Sequence, residues 1–353
     1  MAGSVAQRMW RESSPGAVEQ DLSALWRELG EGVGIARATM SNLVVFRCAR
    51  RGAPPRKTAD DIFQGLPIDA VAARHPCRVI FIDHEAAAAD AVPTISTGVG
   101  VVTYGPPHAR YGVEQIAVHA ACDEASLPSI VRRLVRGELP TSVWWADDPS
   151  RVSPVNAIIA MGRQLIYDSC KWRDVRRGIL ALAPFVASAD SADARTDSRH
   201  AARGPGVDLA DVNWRRLKPM RQALVFAARS ERGSMEWVPA DVRIAHRPGD
   251  GALAWLLAGW LASRLRWDSW PRIVEERHGD MVLSISIGAG TAAITASMDR
   301  GRVVVSEGAT PPSVLQVPHE GEADAVAAEL HSLTVDICLH DALSALLRSF
   351  RAV

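Results

Sequence analysis

The chain has 353 residues, 48% hydrophobic and 23% charged, a length that predicts two domains and an ordinary globular balance. Forty Lys and Arg offset forty Asp and Glu, so no global field favours nucleic acid or an anionic membrane surface. The opening MAGSVAQRMWRESSPG has no apolar signal core, the most apolar run (251–265) is too short to span a bilayer, and five scattered cysteines without a C-x-x-C do not form a secreted disulfide framework, so a cytoplasmic chain with reduced thiols is expected.

Residues 15–31 place Val18, Leu22, Leu25, Trp26 and Leu29 on one helical stripe. NLVVFRCA (42–49) and CRVIFID (77–83) are continuous apolar runs, as in buried strands. Between them, 61–75 predicts a helix broken at Pro67. TGVGVVTYG (97–105) and EQIAVHAA (114–121) predict two more strands. A helix over 126–137 ends at Gly137, SVWWA (142–146) is a strand, 156–164 a helix, LIYDS (165–169) a strand, and KWRDVRRGILALAPF a closing helix. This alternation predicts an α/β N-terminal domain with a mixed or parallel sheet over 1–187.

Residues 188–206 lack large apolar side chains and predict a flexible linker or surface insertion. An α+β domain with an antiparallel meander is expected over 207–353. A long helix is predicted from Asp208, and an almost wholly apolar helix (251–266) is capped by Asp250. MVLSISIG alternates as a half-buried strand, turns fall at RHGD, GAG and DRG, and helices at 321–332 and 340–351 end the chain.

GVGVVTYG and SIGAGTAAI contain G-x-G but open no helix, so hairpin glycines explain them better than a dinucleotide site, and no cofactor is expected. Asp83-His84-Glu85 cannot converge on one metal ion if extended. Trp144 and Trp145 should point to opposite faces of a strand, one into the core and one under a helix or into a groove. Asp147, Asp148, Asp168 and Ser169 follow at strand ends, where α/β clefts form; a polyol would suit them, and solvated acids beside a core tryptophan are the plainer reading. WRRLKPMR sets Trp214, Arg215, Arg216, Lys218 and Arg221 beside Pro219, either as a partner anchor or as a solvated basic face. The RHPCR run at His75 and Arg78 could bind an anion or cap a neighbouring helix.

The ordered series NLVVF, HPCRVI, a strand bearing Glu114, LPTSVWW, the YDS turn, DLADVNWRRLKPMR and LLAGWLASRLRW resembles the OpcA family of glucose-6-phosphate dehydrogenase assembly proteins. Matches fall on Asn42, His75, Pro76, Arg78, Glu114, Pro140, Trp144, Trp145, Asp168, Ser169, Trp214, Arg221, Trp260 and Trp267; Cys77 and Met220 depart from it. The resemblance implies a non-catalytic partner that binds glucose-6-phosphate dehydrogenase and promotes its oligomeric, active form; from the charge balance and the short apolar run, no nucleic acid or membrane partner is expected. The alternative is a sugar-phosphate sensor or enzyme using a cleft near Trp145, Asp148 and Asp168. The partner-binding candidates are His75, Arg78, Glu114, Trp144, Trp145, Asp168, Ser169, Trp214, Arg215 and Arg221.

Overall fold

The computed structural model describes residues 5–30, 34–48, 62–86, 92–152, 154–190, 207–228, 237–277, 281–288, 293–299, 301–332 and 334–351. Its first sheet uses β1 (Val5–Ser13), β2 (Ala36–Arg37), β3 (Ser41–Cys48), β4 (Cys77–Ala86), β5 (Thr94–Tyr104), β6 (Tyr111–Cys122), β7 (Thr141–Trp145), β8 (Gln164–Tyr167) and β9 (Asp208–Asp211). The order is β1-β5-β6-β4-β3-β7-β8-β9, with β2 beside β6. From β6 to β9 every neighbouring pair is parallel, while β1 with β5 and β5 with β6 are antiparallel, so the sheet is mixed as expected.

Helices cover both faces of this sheet: α1 (Val18–Gly30), α2 (Ile68–Arg74), α3 (Leu127–Leu134), the single turn α4 (Asn156–Ile159), α5 (Val175–Ala181) and α6 (Ala183–Asp190). The alternation along β3 and β7 sorts the core. Val44, Phe46 and Trp145 join one apolar cluster, and Leu43, Val45 and Trp144 join the other. α3 stops at Val135, before Gly137, and α4 is much shorter than the predicted 156–164 because Gln164 already pairs in β8.

The helix expected from Asp208 does not start there. Residues 208–211 pair with β8 as β9, and the helix begins only after Asp211, whose carboxylate accepts the Asn213 amide. Burial of Leu209 and Ala210 beside β8 outweighs helical periodicity. The first sheet therefore takes its last strand from beyond residue 207. The proposed linker falls mostly on residues outside those described. After β9 come α7 (Val212–Arg216), broken at Leu217 ahead of Pro219, and α8 (Lys218–Ala228).

A second, six-stranded sheet forms the expected meander: β11 (Arg272–Glu275), β10 (Val242–His246), β12 (Leu283–Ile287), β13 (Ile294–Met298), β14 (Arg302–Glu307) and β15 (Ser313–Gln316), in that spatial order. Every pairing is antiparallel except β10 with β11. α8 and α9 (Gly251–Leu265) pack on this sheet, and α10 (Glu322–His331) and α11 (Ile337–Arg351) follow it in the chain. α10 crosses back to α2 and buries Val326 and Leu330 in the same cluster as Phe81 and Trp144. The two halves of the sequence thus share a core.

The G-x-G of β5 is not a hairpin. Gly98 and Gly100 lie mid-strand beneath the Trp10 indole, where an added Cβ would sit 2.5 Å from the ring. Gly259 plays a similar part in α9. A Cβ there would lie 2.8 Å from the Ala342 carbonyl oxygen and 2.8 Å from Leu346 Cγ. Gly259→Val should therefore push α9 off α11. Helix propensity improves by well under ~1 kcal/mol for valine, while overpacking costs about 1–3 kcal/mol. A net loss is expected in urea unfolding, and an unchanged midpoint would show that the α9–α11 contact is looser than described.

Candidate functional site

The sequence candidates separate into three places. The first is an ionic cluster at the N-terminal ends of the central strands. Asn42 stands opposite Arg78 in the β3–β4 register, and Glu114 lies one residue before the Gln115–Val79 pair of β6 and β4. Asn42 accepts the Arg136 amide at 2.9 Å and donates to the Arg136 carbonyl at 2.9 Å and to Thr141 Oγ1 at 3.1 Å. That clamps the 136–141 loop and swings Arg136 to within 3.3 Å of Glu114. Arg78 meets Glu114 at 3.1 Å, Arg37 pairs with it too, and Trp26 Nε1 donates at 2.9 Å. Glu114 is wholly buried and Arg78 nearly so, with Arg78 also reaching Glu19. Three arginines around one carboxylate make an internal strut. Arg37 comes from the short strand β2, Arg136 from a loop and Trp26 from α1, and no local motif announces them.

His75 is buried at the α2–β4 junction. Its Nε2 lies 2.9 Å from Ser41 Oγ and its Nδ1 3.2 Å from Nδ1 of His331 on α10. The Ala327 carbonyl, 3.1 Å from His331 Nδ1, can only accept, so His331 carries its proton there and His75 Nδ1 is the acceptor. Burial and the neighbouring His331 lower the His75 pKa to about 4. His75 is thus a neutral link between the halves.

The second place is the C-terminal end of the sheet. Trp144 and Trp145 are both 1% exposed, and Trp145 stacks on Phe46 with ring centres 4.3 Å apart. The indole that the sequence allowed to face a groove is a core residue. Asp148 accepts the Ser150 and Arg173 amides, and Asp168 accepts the Cys170 amide and faces Arg216 at 3.4 Å. Ser169 donates its amide to Asp211 and accepts from Asn213. These acids hold turns.

Asp211, which no sequence motif singles out, is the most perturbed of them. Its Oδ1 accepts the Ser169 amide at 3.1 Å and the Asn213 amide at 2.8 Å, while buried Oδ2 has no partner. Burial raises its pKa from the usual carboxylate value to about 7. The folded value exceeds the unfolded one, so folding takes up a proton between about pH 4 and pH 7, and stability falls as pH rises through that window. Asp211→Asn keeps an acceptor for both amides and has no charge to bury. Between pH 5 and pH 8 the wild type should lose about 2–3 kcal/mol relative to this variant in urea unfolding. Parallel pH profiles would mean that Asp211 is already ionised at pH 5.

The third place is a cleft of about 2220 Å3. Its walls are β9, α7 and α8, the end of α9, the connection from β15 into α10, and the start of α11. Trp214, Arg215 and Arg221 line it; His75, Arg78, Glu114, Trp144 and Trp145 do not. The Arg221 guanidinium lies 3.7 Å from the Trp214 ring centre; Leu217, between α7 and α8, keeps helical dihedrals, so positions seven apart still meet across the break. Trp214 itself is 3% exposed, with Nε1 donating to Asp336 at 2.7 Å. Arg215 is drawn to Glu320 at 2.8 Å and Glu329 at 2.9 Å, fixing α10 as one wall. Small-molecule sites run to about 300–1,000 Å3, so this cleft matches a polypeptide segment in size. Four exposed apolar residues line it: Val225, Val238, Leu265 and Ile337. Sequence periodicity could not find them, because three sit at helix ends or in a connection.

Fold and cleft together define a mixed-sheet α/β unit fused through a shared core to an α+β meander unit, with a polypeptide-sized cleft where they meet. Family models described as the glucose-6-phosphate dehydrogenase subunit N-terminal domain and C-terminal domain match residues 68–184 and 207–343. The chain belongs to the OpcA family of glucose-6-phosphate dehydrogenase assembly proteins. It is 26% identical over 227 residues to a putative OxPP cycle protein OpcA of Nostoc punctiforme, covering 60% of this chain and 42% of that one. For the Synechocystis sp. protein of the same description the figures are 23% over 206 residues, 56% and 39%. The matches thus span about two fifths of each relative's length. Among solved structures, a super-repressor mutant of Gal80p from Saccharomyces cerevisiae is 10% identical with a TM-score of 0.37, covering 64% of this chain and 79% of that one. UDP-N-acetylglucosamine 3-dehydrogenase GnnA from Acidithiobacillus ferrooxidans is 11% identical with a TM-score of 0.27, covering 65% and 81%. Among the described residues no helix is long and apolar enough to cross a membrane.

Proposed function

We propose that this protein binds glucose-6-phosphate dehydrogenase in the cytoplasm and promotes its oligomeric, active form, without catalysing the reaction itself. The observation that carries this reading is the cleft: its volume exceeds a metabolite's needs, and its lining mixes Trp, Arg and exposed aliphatic side chains, the composition that anchors protein partners. Family membership supports glucose-6-phosphate dehydrogenase as that partner. The sugar-phosphate alternative loses its main support, since Trp145 is in the core and Asp148 and Asp168 are engaged by backbone amides.

Turnover of glucose-6-phosphate dehydrogenase, titrated with the purified protein, tests the reading. Activity should rise and saturate with added protein, and the protein alone should reduce no NADP in the presence of glucose 6-phosphate. Turnover by the protein alone, or an unchanged dehydrogenase rate with no binding, would contradict it.

A further inference from the structure

Two arginines of the cleft wall, Arg221 and the exposed Arg266, stand apart from the others, and of the two Arg221 is held against a ring. Arg215 pairs with Glu320 and Glu329, Arg216 faces Asp168, Arg247 pairs with Asp250, and Arg264 reaches Asp341 at 3.2 Å. Arg221 makes no ion pair within 4 Å among the described residues, and its Nε–H is buried without an acceptor. The carboxylate in its electrostatic surroundings, Asp336, is already engaged at both oxygens, by Trp214 Nε1 at 2.7 Å and by the Leu339 amide at 3.0 Å. Burial disfavours the charged form of Arg221 and outweighs the pull of Asp336. One face of the guanidinium is covered by Trp214, which holds the planar group in place. A held, unpaired guanidinium suits a carboxylate, which it can take in two parallel hydrogen bonds.

Exposed apolar residues line the same cleft as this cation. Val225 lies four residues on, on the same face of α8. Leu265 ends α9 and Ile337 begins α11, each one residue from a group in the electrostatic surroundings of Arg221 (Arg264 and Cys338). Their exposures are 38%, 40% and 60%, large for aliphatic side chains gathered in one concavity.

We propose that Arg221 receives a carboxylate carried by an apolar segment of the dehydrogenase, which seats in the cleft against Val225, Leu265 and Ile337. This deepens the partner-binding reading and rests on it. The segment is a polypeptide with one acid, an acidic side chain or a chain terminus, flanked by aliphatic or aromatic residues. Arg215, Arg216, Arg247 and Arg264 already face carboxylates, so the partner's acid is directed to Arg221 rather than to them.

Binding of purified glucose-6-phosphate dehydrogenase to the full chain, by calorimetric titration at two salt concentrations, tests this. Arg221→Gln should weaken binding tenfold or more and flatten its salt dependence, because one charge pair is lost. Arg221→Lys should fall between the two. Leu265→Glu and Ile337→Glu change exposed side chains, so the melting temperature should hold while binding falls at least tenfold; they keep the test decisive if Arg221→Gln also unsettles the Trp214 stack. No binding by the wild type would sink the partner reading as a whole. Wild-type binding that survives Arg221→Gln and both rim variants within twofold would overturn this inference alone and place the dehydrogenase on another surface.

Discussion

Glu114→Ala should lower the unfolding free energy by about 3–5 kcal/mol, the cost of removing one partner from a buried ion cluster. The arithmetic of charge makes the effect large. Glu114 is fully buried and receives Arg37, Arg78, Arg136 and the Trp26 indole N–H. Without it, Arg78 remains 1% exposed with only the largely exposed Glu19 to answer it, and Arg136 keeps its place because Asn42 still clamps the loop. The cations cannot scatter, so the repulsion stays. Glu114→Gln should cost less, since an amide oxygen still accepts. Denaturant unfolding with both variants checks this. A loss under about 1 kcal/mol for the alanine variant would mean that the arginines relax to solvent and that the cluster is not a strut.

Trp145→Ala should cost a similar ~3–5 kcal/mol, the usual range for deleting a buried large aromatic side chain. The indole stacks on Phe46 at 4.3 Å in the cluster that also holds Tyr167 and Trp172, themselves stacked 5.5 Å apart. Removing it opens a void between β7 and the helices over that face. Indole Nε1 has no hydrogen-bond partner, so truncation strands no donor or acceptor and the loss comes from packing alone. Trp145→Phe should recover most of it. A near-neutral alanine variant would return Trp145 to the groove that the sequence also allowed.

The legible parts of this protein are those where burial is recorded locally. The runs at 42–49 and 77–83 became β3 and β4 because a strand covered on both faces needs no alternation. The pattern of MVLSISIG became the half-buried β12 for the converse reason. Residues 208–211 misled because a four-residue edge strand leaves too short a signature, and its stability comes from β8, far earlier in the chain. The site divides the same way. Trp214 over Arg221 follows from helical spacing and was readable. Asp336, Leu265 and Ile337, which complete the patch, lie far from both in sequence and meet them only in the fold. The matched residues Asn42, Arg78 and Glu114, by contrast, build the scaffold: they sit in one row across β3, β4 and β6, outside the cleft.

If this chain assembles glucose-6-phosphate dehydrogenase, the mass of the dehydrogenase in solution must change in its presence. Light scattering coupled to size exclusion, on the dehydrogenase alone and with an excess of this protein, should show a shift to a larger dehydrogenase oligomer with this protein co-eluting. Leu265→Glu should suppress the shift without unfolding the chain. Identical dehydrogenase masses with and without this protein, and no co-elution at micromolar concentrations, would contradict an assembly role.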